Sequence, residues 1–84
     1  MNEVEKEIRR HIIQDILKKE DDGSLEFDSP LIRSGIIDSL GIQILVSFLQ
    51  KKYSMTIPEE ELYPENFDSI KEIASLVRKL KGRG

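Results

Sequence analysis

An all-α fold is what this chain predicts: a small four-helix bundle of three main helices and one short one. A long ordered loop is expected between the first and second helices. Two observations lead there. Aliphatic residues recur at helical spacing in three separate segments, and no stretch alternates apolar with polar as a half-buried strand would. Composition agrees, because 84 residues with 38% hydrophobic and 35% charged content suit a small helical domain and argue against disorder. The length allows one domain, residues 1–84, with its core from about residue 3 to residue 81.

The first helix is expected from Glu3 to Lys19. Val4, Ile8, Ile12 and Ile16 repeat along one stripe, Ile13 and Leu17 widen it, and Lys18 and Lys19 suit the negative end of the dipole. His11 flanks the stripe and reads as a partly covered structural residue, since no second histidine and no cysteine could join it on a metal. Gly23 is the expected terminator. The connection that follows carries Phe27, Leu31, Ile32, Ile36 and Ile37, which is too apolar for a free loop. It should pack across the bundle, with Pro30 stiffening it and Gly35 permitting a turn.

A second helix is expected from Asp38 or Ser39 to about Tyr53. Its buried stripe comprises Leu45, Phe48, Leu49 and Tyr53 with Leu40 or Ile44, widened by Ile42 and Val46. A helix apolar over so much of its circumference is either central or a docking face in part. Pro58 breaks it and opens a short helix over Glu59 to Tyr63, with Leu62 inward and Pro64 as the stop. The last helix starts at Asp68 or Ser69, with Glu72 in capping-box spacing from Ser69. Ile70, Ile73, Ala74, Val77 and Leu80 form its stripe, and Gly82 is the expected end.

Composition also excludes functions. A chain this short buries only about two thirds of its unfolded surface, so its core must be efficiently packed. No cysteine is present, which removes disulfides, thiolate metal sites and any thiol that is not added from outside. The apolar runs are too short for a membrane span, and MNEVEKEIRRHI is too charged for a secretory signal, so a cytoplasmic protein with no membrane partner is expected. Arg78, Lys79, Lys81 and Arg83 make a basic end without aromatic interleaving, which reads as a helix end and not as a nucleic-acid surface. Ser39 is a poor hydrolase nucleophile, because the sole histidine, His11, lies on another helix.

The informative stretch is Asp38-Ser39-Leu40, where a loop gives way to an apolar-striped helix. Alone it is an ordinary helix start. Its context extends further: Gly35, Ile36 and Ile37 upstream, a helix closing on Tyr53, then Ile57-Pro58, an acidic turn, and Glu65-Asn66-Phe67 before Ser69-Ile70. In that order and spacing, Leu31 to Leu80 resembles the acyl carrier protein family, with the first helix compatible. The resemblance implies a carrier without catalytic residues, on which Ser39 holds 4'-phosphopantetheine covalently and delivers an acyl or aminoacyl thioester. It implies that Asp38 helps a phosphopantetheinyl transferase hold Mg²⁺, and that Leu40 contacts transferase and partner enzymes, with a core position as its alternative. Physics suits a phosphodiester at Ser39, since a helix start offers free N–H groups and a positive dipole end to an anion.

One departure bears on partners. From Ser39 to Tyr53 there is no Asp or Glu, whereas carriers of fatty acid synthesis typically have an acidic helix here. An enzyme steering by a basic patch would gain little on this face. Docking is therefore expected through Leu40, Gln43, Ile44 and Ser47, with Glu59, Glu60 and Glu61 as a separate acidic element. Gly41 costs up to about 1 kcal/mol relative to alanine in a helix; it is expected to let a partner or the arm approach the backbone. The expectation is a monomeric carrier in a specialised pathway, loaded by an adenylating ligase and unloaded by a transferase or condensing enzyme. Fatty acid synthesis and D-alanine transfer are alternative clients, and a helical adaptor without prosthetic group is the alternative of another class.

Overall fold

In the computed structural model, which describes residues 2–81, every α-helix opens on a side chain that satisfies first-turn N–H groups. Asn2 begins α1 (Glu3–His11): its side chain accepts the Glu5 N–H at 2.9 Å, and Glu5 Oε1 accepts the Asn2 N–H at 2.8 Å. Asp38 begins α2 (Ser39–Lys52). Ser69 begins α3 (Ile70–Lys81), its Oγ accepting the Glu72 N–H at 3.1 Å. Gly82 and Arg83 lie outside the described residues.

α1 does not run as an α-helix to Lys19. Between Ile12 and Ile16 it widens into a π turn, with the Leu17 N–H donating to the Ile12 carbonyl at 2.8 Å. In an α-helix, residues five apart point about 140° away from each other. The wider turn lets both His11 and Ile16 serve the contact with α2. His11 stacks on Phe48, ring centroids 3.8 Å apart, and its Nδ1 lies 2.7 Å from Asp15 Oδ2. The histidine is thus buried structure, more covered than expected.

The helical path ends at Lys18, not at Gly23. Lys18 takes φ +53°, and the Lys19 N–H returns to the Ile13 carbonyl at 3.2 Å, in the manner of a Schellman closure. Gly23, at φ +81°, shapes a later polar turn, where Asp21 Oδ1 accepts its N–H at 2.9 Å.

The long loop is ordered, as its apolar content required. Leu25, Leu31 and Ile37 enter the core, while Phe27, Ile32 and Ile36 are partly covered. Its backbone is tied to α3: the Leu31 N–H donates to the Asp68 carbonyl at 2.6 Å, and the Lys71 N–H to the Phe27 carbonyl at 3.2 Å. Gly35 makes the turn at φ +79°. Ile8 and Ile12 meet Leu45 and Leu49 of α2 and Ile70, Ile73 and Val77 of α3 in one core, closed by Phe67.

Among the described residues there is no strand, and the helical bundle is as expected, but the short fourth helix is not confirmed. Two 3₁₀ turns stand there, Glu59–Glu61 and Pro64–Phe67. Pro64 forces Tyr63 into extended geometry, at φ -86° and ψ 141°, so no α-helix can continue through it. Leu62 is consequently exposed, not turned inward.

Candidate functional site

Asp38 sets the start of α2. Its backbone is extended, its Oδ1 accepts the Gly41 N–H at 3.0 Å, and its carbonyl accepts the Ile42 N–H at 3.0 Å. Capping of this kind leaves the N–H groups of Ser39 and Leu40 pointing out of the helix end. Ser39 is exposed at that end, and no carboxylate lies in the first turn of α2.

Leu40 is 65% exposed and Ile44 is exposed as well, so neither belongs to the buried stripe of α2. The rotation of the helix explains this. Gly41, Leu45 and Leu49 face the core, which turns Leu40, Gln43, Ile44 and Ser47 outward together. Ile42, Val46, Phe48 and Tyr53 flank the buried line. Leu40, Gln43, Ile44 and Ser47 thus make an exposed face of α2.

Gly41 is buried, contrary to the expectation of a backbone left open for a partner. Ile37 occupies the space in front of it. A groove of about 530 Å³ does open beside Ser39, between Ile42, Gln43, Val46 and Ser47 of α2 and the residues Leu62 and Pro64.

The acidic residues divide. Glu59 and Glu60 are exposed, whereas Glu61 is half-buried and its Oε2 accepts from Lys79 Nζ at 2.6 Å. Among the described residues, no group of three or more His, Asp or Glu side chains could hold a metal ion.

Three features escaped the sequence. Exposed Leu62 and Tyr63 add apolar surface near α2, and the two flanking prolines were the signal for it. Asp68 does not cap α3; it reaches back to the loop before Ser39, accepting the Ile32 and Arg33 N–H groups at 2.9 and 3.1 Å. The Arg33 N–H comes first, the Arg33 guanidinium next and the Ile32 N–H after it, in holding its carboxyl below the usual range. The seat of Gly41 on Ile37 had no sequence signal beyond the glycine itself.

Residues 10–77 match the family described as "Phosphopantetheine attachment site". This chain belongs to the acyl carrier protein family. It is 35% identical over 78 residues to "Probable acyl carrier protein PigG" of Serratia sp. (strain ATCC 39006), covering 93% of this chain and 88% of that one. A chain in the solved structure described as "Crystal structure of FAD-dependent dehydrogenase" superposes with a TM-score of 0.76 at 34% identity, covering 84% of this chain and 99% of its own. The acyl carrier is accordingly non-catalytic, and 4'-phosphopantetheine is its prosthetic group, supplying the thiol that the sequence lacks. A phosphopantetheinyl transferase and biosynthetic enzymes are its partners. No described helix is long and apolar enough to cross a membrane.

Proposed function

We propose that Ser39 is the residue to which 4'-phosphopantetheine is joined, with Asp38 and Leu40 as its recognition flank. One observation carries this reading: an exposed hydroxyl at the N-terminus of α2, on a helix start built by Asp38. A phosphodiester on Ser39 would meet outward N–H groups and the positive end of the dipole, beside the capping carboxylate of Asp38, while the first turn of α2 itself carries no acid. Asp38 is exposed, so its carboxylate can cap α2 and also help a transferase hold Mg²⁺.

On the same reading the carrier serves a specialised pathway, as a monomeric single domain in the cytoplasm, where its coenzyme A donor is found. An adenylating ligase loads it with an amino acid or another carboxylic acid. What supports this is the uncharged outward face of α2, Leu40, Gln43, Ile44 and Ser47, which favours apolar docking over steering by a basic patch. Exposed Glu59 and Glu60 form a second contact for a basic partner, with Glu61 behind them. The similarity to a chain crystallised under the description of an FAD-dependent dehydrogenase favours such an enzyme as one downstream client, ahead of a transferase or condensing enzyme.

The test is intact-mass spectrometry after incubating the apo protein with coenzyme A, Mg²⁺ and a broad-specificity phosphopantetheinyl transferase. Wild type should gain one phosphopantetheinyl group and Ser39→Ala none. Modification of a folded Ser39→Ala protein would overturn the assignment. Loading of the holo protein by ligases supplied with assorted acids then identifies the cargo.

A further inference from the structure

Gly41 lies in the first turn of α2, two residues beyond Ser39. A methyl group built on it would stand 2.7 Å from Ile37 Cγ2 and 3.4 Å from Ile16 Cγ2. Carbon atoms in contact settle at about 3.5–4.0 Å, so the first approach is impossible without movement. Ile37 is poorly able to yield. Its Cγ2 is fixed to a branched Cβ with a stiff χ1, its side chain is buried, and its N–H is tied to the Leu31 carbonyl at 3.0 Å. On the other side of the same glycine, the N–H is held by Asp38 Oδ1. Ile37 beneath, Asp38 at the cap and Gly41 between them therefore bracket Ser39 along the chain.

We propose that Gly41 is a positioning residue for the modification of Ser39. Its missing Cβ lets the first turn of α2 sit down on Ile37, and that seat sets where the Ser39 hydroxyl stands relative to the bundle. The inference rests on Ser39 being the attachment point. A β-carbon at position 41 lifts the turn, pulls against the Asp38 cap and misplaces the hydroxyl. A side chain without a methyl on its own Cβ at position 37 removes the obstruction. Ile37→Leu does this while keeping the same number of carbons.

The full-length chain is compared as wild type, Gly41→Ala, Ile37→Leu and the double variant. Loading by the transferase is followed by intact mass to separate kcat from KM, and amide shifts of Ser39 and Leu40 are recorded in the apo protein. Gly41→Ala is expected to lose about tenfold to a hundredfold in kcat, with displaced shifts. The double variant is expected to return close to Ile37→Leu in both readouts. Loading of Gly41→Ala at the wild-type kcat overturns the proposal, and so does a slow Gly41→Ala that Ile37→Leu fails to rescue. If Gly41→Ala does not fold, recovery of folding and loading in the double variant supports the seat, and its failure overturns it. A wild type that is never loaded defeats the Ser39 assignment instead, and the amide shifts then decide the seat by themselves.

Discussion

Arg33 Nε donates to Asp68 Oδ2 at 2.5 Å, joining residues that lie 35 positions apart in the chain. The pair does more than link two charges, because Asp68 Oδ1 also accepts the backbone N–H groups of Ile32 and Arg33. A single carboxylate at the foot of α3 thereby anchors the loop that leads into Ser39. Asp68→Asn keeps an acceptor oxygen but loses the charge that makes such bonds strong. Its Tm should fall by several degrees, and amide hydrogen exchange should quicken at Leu31–Arg33 more than in α1. Uniform exchange across the chain would show that the loop has other anchors.

Acid should loosen this arrangement. Arg9 first, and the Gly23 N–H second, hold Asp21 at about 2, and Asp68 is likewise lowered by the Arg33 and Ile32 N–H groups and the Arg33 guanidinium. In both cases the unfolded chain takes up protons more readily than the folded one, so falling pH favours unfolding. The contribution is fully present above the unfolded aspartate value of about 3.9 and is lost as pH falls towards the folded values. Circular dichroism melts across that window should show a falling Tm, with a shallower fall in Asp68→Asn. A flat Tm through the window would contradict the linkage.

Asp38 combines two duties that substitution can separate. Asp38→Ala removes the cap on Gly41 and should cost about 1 kcal/mol, whereas Asp38→Ser retains a capping oxygen and most of the stability. If the carboxylate also serves the transferase, both variants load slowly although only alanine is destabilised. Wild-type loading of Asp38→Ser would reduce Asp38 to a cap.

Much of this was legible in the residues themselves. Three apolar stripes located the three helices, and Leu31 and Ile37 announced a packed loop, because buried aliphatics need no tertiary knowledge to be recognised. What escaped depended on geometry between segments. The rotation of α2 turns Gly41, Leu45 and Leu49 to the core, a fit between segments, so Leu40 and Ile44 could not be assigned to core or surface from spacing. The π turn has no local signature either; His11 before it stacks on Phe48, and Ile16 at its end lies beside Gly41, both on another helix. Leu62 is the opposite case: Pro58 and Pro64 were visible, but the stretch between them forms a 3₁₀ turn over Glu59–Glu61 and not the short helix that would have turned Leu62 inward.

Tyr53 provides a test in the core. Its hydroxyl is buried, meets no partner among the described residues, and has its pKa raised by burial first and by Glu7 and Glu3 second. A buried polar atom without a hydrogen bond costs stability, so Tyr53→Phe should be neutral or stabilising by up to about 1 kcal/mol. The Lys81 ammonium, 5.4 Å above the ring centre, keeps its aromatic face in the variant. A chemical denaturation curve decides it, and a clear loss of stability would mean that the hydroxyl is bonded after all.

Leu40 separates stability from recognition most directly. Because its side chain is largely in solvent, Leu40→Ala should change folding free energy by no more than about 0.5 kcal/mol. An enzyme that seats this leucine in an apolar pocket loses the burial of most of a side chain, about 1.5–3 kcal/mol, equivalent to roughly a tenfold to hundredfold rise in KM. Loading kinetics and thermal melts on the same sample distinguish the two effects. Unchanged kinetics with unchanged Tm would remove Leu40 from the recognition surface and shift attention to Ile44 and Tyr63.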